Sequence, residues 1–332
     1  MGITIKELSK ISGYSCATIS RVITKQNNVK EETRRAIEEL LIQYDYRTNI
    51  MELRASELRQ KMILIIVGDL DSWYYMEMIR AIKRETAKGR YVVVIGYSDN
   101  SVQQEEEYVK IAIQEKYAGI IFVNVRGGDN ISRLLEQSGM PVVFLNRGIR
   151  LSDFDTIRSD NYYGSYMITS YLIEMGHRKI GHLAGNQYSS TAMERRRGYE
   201  DAMCAGKLPV TGKSIHVGEL NWESGYQYGE RIVKEGLDYT AVFCGNDLMA
   251  GGLLEAFAHY GVKVPEDISV VCYDDTPVTA RAGLTTVGAD PVRMGKKAVE
   301  LLVTIIEGKH EEGSSIVYRP QIMTRNSVKK LV

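Results

Sequence analysis

The sequence predicts an α/β protein with an N-terminal all-α helix-turn-helix head followed by two doubly wound α/β lobes. Three observations support this prediction. Two short amphipathic helical patterns flank Gly13 near the N-terminus. The apolar run Met62–Val67 is typical of a strand that is buried on both faces of a parallel sheet. After it, strand and helix patterns alternate in two consecutive series that meet near Asp160, which indicates two lobes with a cleft between them.

The first helical pattern begins at Thr4, and Glu7 three residues later gives it the form of a capping box. Apolar residues at helical spacing give each of the two helices one buried face. The second helix then turns its N-terminal part toward solvent, as a recognition helix does toward base edges in the major groove. The residues presented in this way are Ser15, Cys16, Ala17, Thr18 and Arg21. Two helices of an ordinary core would show the same pattern, so this segment alone leaves that alternative open.

Charge is distributed unevenly along a chain whose formal net charge is zero. Residues 1–30 contain five Lys and Arg residues against the single acidic residue Glu7, a net charge of +4. A basic head on a neutral body suits binding to phosphates, whose attraction supplies affinity without sequence preference. A solvated lysine-rich face would have the same composition.

Several classes of protein are not expected from the sequence. The four cysteines are far apart and no histidine cluster has ligand spacing, so we predict no metal, no cofactor and no disulfide framework. No signal-peptide pattern and no apolar run of membrane-spanning length are present, which predicts a cytoplasmic protein without a membrane partner. The chain also has no phosphate-binding loop, zinc-protease motif or nucleophile elbow, so we do not expect an enzyme.

The periodicity divides the chain into a head at residues 1–46, a hinge at 47–61 and a body at 62–332. A third helix at about 31–44 closes the head. In the first series, helices are predicted at 76–88, 105–115 and 131–138, and strands at 62–67, 91–95, 119–123 and 141–145. In the second series, helices are predicted at 163–175, 193–205, 223–234 and 250–260, and strands at 179–183, 213–217, 241–244 and 268–273. Lobe 1 would comprise about 62–160 and 290–319, and lobe 2 about 161–289 and 320–332.

An ordered set of short motifs runs through the whole chain. It comprises Thr4-Ile5-Lys6 to Ser20-Arg21-Val22, Val29 with Glu32-Thr33-Arg34, Met175-Gly176-His177-Arg178-Lys179-Ile180, Gly245-Asn246-Asp247-Leu248-Met249-Ala250, Val264-Pro265-Glu266-Asp267-Ile268, Tyr273-Asp274-Asp275, Leu284-Thr285-Thr286-Val287 and Met294-Gly295. In this order they resemble the lactose-repressor/galactose-repressor family of bacterial transcription regulators. The resemblance implies a body like that of periplasmic binding proteins, and a homodimer that binds a pseudo-palindromic operator under the control of a small molecule, usually a sugar.

The resemblance also implies which residues of the head contact DNA. Cys16, Ala17 and Arg21 match the positions that read bases, and the Arg21 guanidinium has the geometry to bond guanine O6 and N7. A surface salt bridge is the alternative role for Arg21. Phosphate or capping roles fall to Thr4, Ser15, Thr18, Ser20 and Asn28.

The hinge departs from the family pattern. Thr48 stands before Asn49, where the family usually has proline. Members of the family insert a hinge leucine into the central minor-groove step of the operator. A direct count from Asn49 puts Ala55 at that position, and a slip of three residues puts Leu58 there. We prefer Leu58, with Asn49 as a further DNA-binding residue.

The body carries the positions that match effector-binding residues of the family: Tyr74, Tyr75, Asn146, Thr191, Arg195, Trp222, Asn246 and Asp274. Asn, Asp and Arg would bond sugar hydroxyls, and aromatic rings would pack on sugar C–H faces. The alternatives are core or dimer packing for the tyrosines, a surface position for Trp222 and a helix cap for Asp274. Ser189 stands where nucleobase-sensing relatives carry arginine, which argues against a purine effector.

The sequence therefore predicts a repressor of carbohydrate utilisation that is controlled allosterically by a sugar. The alternative is a transport-type sugar-binding protein of the same two-lobed fold, without a role on DNA. Such a protein would carry a signal peptide and no DNA-binding head, which is the reverse of what this chain shows.

Overall fold

The computed structural model describes residues 3–23, 29–44, 46, 56, 58–89, 91–147, 154–186, 189–236, 238–310 and 313–331. It divides into two compact units, Met1–Met62 and Ile63–Val332. The first unit is helical, and the second contains two α/β lobes. The fold class predicted from the sequence is confirmed.

The head contains α1 (Ile5–Ser12), α2 (Cys16–Ile23) and α3 (Glu31–Gln43). Thr4 and Glu7 form the predicted capping box, and Gly13 ends α1 with a left-handed φ of 74° that favours glycine. Apolar side chains from all three helices pack into one small core: Leu8, Ile19, Val22, Ile37, Leu41 and Tyr46. This packing fixes which face of α2 remains outside.

Lobe 1 is built on a six-stranded sheet in the order β11-β5-β4-β3-β1-β2. Its strands are β1 (Met62–Val67), β2 (Val92–Tyr97), β3 (Gly119–Phe122), β4 (Val142–Leu145), β5 (Asp155–Ser159) and β11 (Ser315–Tyr318). The pairs β1–β3, β3–β4, β4–β5 and β5–β11 are parallel. Its helices are α4 (Trp73–Lys88), α5 (Val102–Gln114), α6 (Asp129–Ser138) and α12 (Pro291–Ile306).

Lobe 2 repeats this plan with the order β12-β10-β9-β8-β6-β7. Its strands are β6 (Ile180–Gly185), β7 (Ile215–Gly218), β8 (Ala241–Cys244), β9 (Ser269–Tyr273), β10 (Thr285–Gly288) and β12 (Gln321–Met323). Only β12 is antiparallel among the described pairings of this sheet. Its helices are α7 (Asn161–Glu174), α8 (Ser190–Ala205), α9 (Trp222–Lys234), α10 (Asp247–His259) and the short α11 (Pro277–Arg281).

The predicted helices that border the cleft begin later than the observed ones. The prediction starts them at residues 76, 193 and 250, whereas α4, α8 and α10 begin at Trp73, Ser190 and Asp247. Each begins after a capping side chain: Ser72, Ser189 or Asn246 accepts the N–H of the residue three positions later. Tyr75, Thr191 and Leu248 in these first turns line the cavity, whereas Tyr74 and Met249 pack in the core. The first turns therefore face the cleft and the core at once.

Six elements were not predicted from the sequence: β5, β10, α11, α12, β11 and β12. Strand β5 alternates buried and partly exposed residues, so it lacks the continuous apolar run by which the other strands were found. Strand β10 begins with two buried threonines whose hydroxyls bond to Arg325 and Asp275. Because these positions are polar, β10 lacks the apolar run that is typical of a central strand.

Candidate functional site

The exposed face of α2 is the candidate DNA-binding surface. Its residues Ser15, Cys16, Ala17, Ser20 and Arg21 are exposed, whereas Ile19 and Val22 are buried beneath them. Ser15 caps the helix by accepting the Thr18 N–H, with an N–O distance of 3.1 Å. The sulfur of Cys16 lies 3.9 Å from the carbonyl oxygen of Ile5. The predicted base-reading positions therefore form one continuous surface.

Several residues of the DNA-binding prediction cannot be placed. Asn28, Asn49 and Ala55 lie outside the described residues. Leu58 is described, and 49% of its side chain is exposed. The choice between Ala55 and Leu58 as the minor-groove leucine position stays a prediction.

A cavity of about 310 Å³ lies between the carboxyl ends of the two sheets. Parallel α/β sheets bind their ligands at this edge. Lobe 1 contributes Gly68, Asp69, Asp71, Ser72, Tyr74, Tyr75, Tyr97, Asp99, Asn100, Asn124, Arg126, Asn146 and Arg147, and lobe 2 contributes Asn186, Ser189, Thr191, Arg195, Glu219, Leu220, Asn221, Asn246, Leu248 and Asp274. Carboxylates, amides, hydroxyls and guanidinium groups dominate this wall, so it suits a ligand rich in hydrogen-bonding groups.

The Arg195–Asp274 pair is the electrostatic centre of lobe 2. Both side chains are buried, and two guanidinium nitrogens of Arg195 lie 3.3 and 3.4 Å from the carboxylate oxygens of Asp274. Arg195 also donates to the side-chain oxygen of Asn161 at 2.9 Å and to the carbonyl oxygen of Gly245 at 2.5 Å. Its guanidinium carbon lies 3.7 Å from the ring centroid of Tyr273. The protein itself therefore holds Arg195 in place before any ligand binds.

Burial shifts the titration of the acids beside this pair. Burial raises the pKa of Asp274, and the Arg195 cation opposes that rise. Burial, followed by repulsion from Asp274, raises the pKa of Asp247 to about 7. Burial would lower the pKa of Arg195, but Asp274 raises it above its ordinary value. The three groups thus form one coupled charge cluster next to the cavity.

Asn146 and Asp274 occupy equivalent places in the two lobes. Asn146 follows β4 and Asp274 follows β9, and both have a φ of 72°, which is rare for residues other than glycine. The N–H of Asn146 donates to Ile157 on β5, and that of Asp274 donates to Val287 on β10. The neighbouring strand therefore holds each backbone in the conformation that places the side chain at the cavity.

The structure brings together all of the predicted effector-binding residues except Trp222. Tyr74 and Tyr75 are in the first turn of α4, and the Tyr75 hydroxyl accepts from the Asn146 side-chain amide at 3.2 Å. Tyr74 is buried and donates to the sulfur of Met294. Thr191 bonds to Ser189, and Asn246 both caps α10 and donates to the Leu220 carbonyl oxygen.

Trp222 does not contribute to the cavity wall, so its predicted role in effector binding stays a prediction. Its ring covers Gly251 on α10, where an added Cβ would lie 2.2 Å from the indole. Its indole N–H donates to Glu255 at 2.7 Å. The residue begins α9 after the cap Asn221, and the helix direction turns the ring toward α10. Asn221, one position earlier, reaches the cavity instead.

Sequence reasoning missed several cavity residues that carry charge or amide groups: Asp69, Asp71, Asp99, Asn124, Arg126, Arg147, Asn186 and Glu219. A signal for some of them was present, because Asn124 comes just after β3, Arg147 follows Asn146, and Glu219 comes directly after β7. The rule that polar residues after parallel strands face the cleft would have found these three.

Among the described residues, no helix is long and apolar enough to cross a membrane. Within the same part of the chain, no group of three or more His, Cys, Asp or Glu residues is arranged to hold a metal ion.

Comparison with known proteins gives consistent matches. Residues 4–49 match the family of bacterial regulatory proteins named lacI, and residues 169–328 match a periplasmic binding protein-like domain. The HTH-type transcriptional repressor PurR of Pasteurella multocida (strain Pm70) is 30% identical over 329 residues, which cover 98% of each chain.

Two solved structures share the fold over almost the whole chain. The Lac repressor dimer bound to operator and the anti-inducer ONPF has a TM-score of 0.74 at 23% identity, covering 99% of this chain and 100% of that chain. A complex of the transcriptional regulator CelR with cellobiose has a TM-score of 0.74 at 24% identity, covering 98% of this chain and 99% of that chain.

Proposed function

The chain belongs to the lacI family of bacterial regulatory proteins and is a DNA-binding transcriptional regulator, and from this premise we propose that it is a repressor controlled by a sugar. The relative from Pasteurella multocida is a transcriptional repressor over the same length, which supports repression. The CelR structure holds cellobiose, which supports a carbohydrate ligand. A transport-type role without DNA binding is not favoured, because the head matches the regulators. A protein with this task works in the cytoplasm.

One observation carries the ligand part of the proposal: the cavity wall consists of directional polar groups set at strand ends and helix caps. Asn146 and Asp274 are held there by unusual backbone angles, and Arg195 is held by the protein. Sugar hydroxyls need donors and acceptors in fixed directions. Tyr75 offers an aromatic ring at the same site. Preorganisation of this kind lowers the entropic cost of binding.

In the head, we assign base contacts to Cys16, Ala17 and Arg21 on the exposed face of α2. Thr4, Ser15 and Thr18 lie at or near the helix N-termini, where phosphates bind favourably, and Ser20 is exposed further along α2. Leu58 is exposed, so it is available for insertion into the minor groove.

We further propose a homodimer that uses the edge strands of both sheets. Large apolar side chains on these strands are exposed: Val92, Ile95 and Tyr97 on β2 and Val217 on β7, with Ile95 51% exposed. Exposed apolar edge strands favour association with another chain. A second copy related by a twofold axis would cover the same residues on both chains and would match a pseudo-palindromic operator.

The regulatory mechanism follows from linkage. A sugar that contacts both lobes favours one closure angle, and the dimer transmits that preference to operator binding. Coupling of about 1–3 kcal/mol would change operator affinity roughly 5- to 150-fold. The sign of this change is left to experiment.

The proposal is tested by selecting DNA from a random library with the full-length chain and then measuring gel shifts at fixed salt. We expect an enriched site with twofold symmetry. Thermal-shift assays with neutral sugars, acidic sugars and nucleobases then identify the ligand, and the ligand must change the gel shift. Selection of no site would refute the DNA-binding role, and stabilisation only by a nucleobase would refute the sugar.

A further inference from the structure

The chain passes three times between the lobes: from β5 to α7, from β10 to α12 and from β11 to β12. The first and third of these crossovers lie side by side, because β5 and β11 are neighbouring parallel strands. The N–H of Asp160 in the first crossover donates to the carbonyl oxygen of Tyr318, at the end of β11, over 3.0 Å. We call residues 159–161 and 318–320 the paired crossovers. Because a few residues at such connections absorb the closure of two lobes, contacts that hold the paired crossovers also bias the closure angle.

Tyr273, the last residue of β9 in lobe 2, bonds to the paired crossovers through its hydroxyl. That hydroxyl lies 3.2 Å from Oγ of Ser159 and 3.3 Å from the carbonyl oxygen of Asp160. It has a single proton, which goes to the carbonyl oxygen, so Ser159 is the donor in the other bond. An added Cβ at Gly164 would lie 2.5 Å from the same hydroxyl and 2.9 Å from the Pro320 ring. The hydroxyl is therefore enclosed by the first crossover, α7 and the third crossover.

Arg195 contacts the same residues from the side of the cavity. Its guanidinium carbon lies 3.7 Å from the centroid of the Tyr273 ring, and its Nε donates to the side-chain oxygen of Asn161 at 2.9 Å. The amide of Asn161 in turn donates to the carbonyl oxygen of Ser159 at 3.2 Å. Of these four residues, Arg195 lines the cavity and the other three do not. One cavity residue is thus connected to the paired crossovers by two routes, the Tyr273 ring and the Asn161 amide.

Tyr273 also belongs to the hydrophobic core of lobe 2, so a packing role is the simpler alternative. It is buried and lies in one core cluster with Ile168, Leu172 and Phe243. Packing explains the ring but not the hydroxyl, because phenylalanine would fill the same core without a polar atom to satisfy. Both of the bonds that the structure describes for this hydroxyl are made to the first crossover. The hydroxyl therefore acts at the connection between the lobes.

The lengths of these two bonds leave room for adjustment. Hydrogen bonds from a hydroxyl to an oxygen usually measure about 2.7–2.8 Å, and both bonds of Tyr273 are longer. A shift of the ring by a few tenths of an ångström would tighten or break them. Because Arg195 lies on the face of that ring, a ligand that displaces the guanidinium would cause such a shift.

From this arrangement we propose that Tyr273 is a positioning residue that transmits ligand binding from Arg195 to the paired crossovers. A ligand that engages Arg195 moves the guanidinium relative to the Tyr273 ring and the Asn161 amide. This movement changes the two hydroxyl bonds and hence the favoured closure angle. Energetic coupling can travel through such a contiguous set of packed and hydrogen-bonded side chains. The proposal rests on the ligand-controlled regulator proposed above and specifies the residue that connects its ligand to the movement of its lobes.

The first test needs neither ligand nor DNA. Hydrogen–deuterium exchange of the full-length chain is followed by mass spectrometry in wild type, Tyr273→Phe and the control Tyr199→Phe. Tyr199 is buried in the same core cluster, but its hydroxyl donates to the carbonyl oxygen of Ile180 within lobe 2. Peptides that cover residues 159–164 should exchange about 2- to 10-fold faster in Tyr273→Phe, as expected for the loss of a hydrogen bond, and at the wild-type rate in the control. Equal exchange in wild type and Tyr273→Phe would overturn the proposal.

The second test measures how ligand binding is transmitted to the operator. Gel shifts give the operator affinity of the full-length chain with and without glucose, ribose, cellobiose and glucuronate as defined probes, and calorimetry gives the affinity for each probe. Where a probe changes operator affinity in the wild type, the change should be about 2- to 10-fold smaller in Tyr273→Phe. The affinity for the probe in the absence of DNA should stay close to that of the wild type, because Tyr273 does not line the cavity. Tyr199→Phe should respond as the wild type does.

Ser159→Ala removes the bond to Tyr273 from the side of the crossover and so provides an independent check. It should reduce the operator response in the same direction as Tyr273→Phe. The double variant should behave as Tyr273→Phe alone, because both changes remove the same bond. Additive losses would indicate two separate packing effects and would contradict the proposal.

The outcomes separate this proposal from the proposed function. An unchanged operator response in Tyr273→Phe, or a loss that comes only with lost probe affinity, overturns the proposal while the regulatory function stands. If no probe changes operator binding in the wild type, control by a sugar fails. The exchange experiment, which uses neither sugar nor DNA, then decides whether Tyr273 holds the paired crossovers.

Discussion

Asp274→Asn removes one charge from the centre of lobe 2 and changes almost no volume. Asp274 is 6% exposed, and its carboxylate accepts from Arg195 at 3.3 and 3.4 Å. We expect the variant to lose its response to ligand while it retains operator binding, because the head is a separate compact unit. The ligand loses a charged acceptor at a position that the backbone presents to the cavity.

The cost in stability is moderate for a buried ion pair. Breaking such a pair usually costs about 3–5 kcal/mol. Here Arg195 retains Asn161, the Gly245 carbonyl oxygen and the ring of Tyr273, and Asn keeps one acceptor oxygen. Repulsion between positions 274 and 247 also disappears. We therefore expect a loss of about 2–3 kcal/mol, which a domain with 5–15 kcal/mol of stability survives.

The assay combines urea unfolding, ligand titration and gel shifts on one preparation. Ligand affinity should fall about 10- to 150-fold, as expected for the loss of a hydrogen bond to a charged group. Asp275→Asn is the matched control, because its carboxylate pairs with Arg325 and Thr286 instead. That variant should lose stability but keep the ligand response. If folded Asp274→Asn responds normally to ligand, or no longer binds operator, the reasoning is wrong.

Three further predictions follow from the structure. Arg21→Ala should weaken specific operator binding by about 1–3 kcal/mol and relax the preference at one base pair, as gel shifts with substituted operators would show. Gly225→Ala should destabilise the body by about 1–3 kcal/mol in urea unfolding, because its Cβ would lie 2.0 Å from a backbone oxygen of α10, whereas Gly212→Ala, with open space around it, should not. Asp247 has a pKa raised from 3.8 to about 7, so the folded state binds more protons than the unfolded state between these values, and stability falls as pH rises through this window. Unfolding midpoints from pH 4 to 8 should show this fall, and Asp247→Asn should reduce it.

Some cleft residues could be predicted from the sequence, whereas the side-chain direction of others could not. Asn146 and Asp274 were predicted because each stands at the end of an apolar strand, and the ends of parallel strands meet at one edge. The resemblance predicted Trp222 in the cleft. In the structure Trp222 is the first residue of α9, and the orientation of this helix directs the side chain toward α10. Its ring consequently packs on Gly251 of α10. Position along the chain identifies an element, whereas the packing of that element determines the direction of its side chains.

Arg147 shows that no sequence pattern predicts how deeply a charged cavity residue is buried. Its place directly after Asn146 at the end of β4 indicates a cleft residue, but nothing in the sequence shows that it is only 8% exposed. The same holds for β5 and β10, because their polar residues are satisfied by partners that are distant in sequence, such as Arg325.

The helical head, the two alternating lobes and the edge at which a ligand would bind were predictable from the sequence. These follow from periodicity, capping residues and apolar runs, which are local properties. The pairing of polar groups is visible only in the folded chain, because partners such as Arg195 and Asp274 are far apart in the sequence. Whether a buried charge has a counterion depends on folding distant segments together, which no local pattern records.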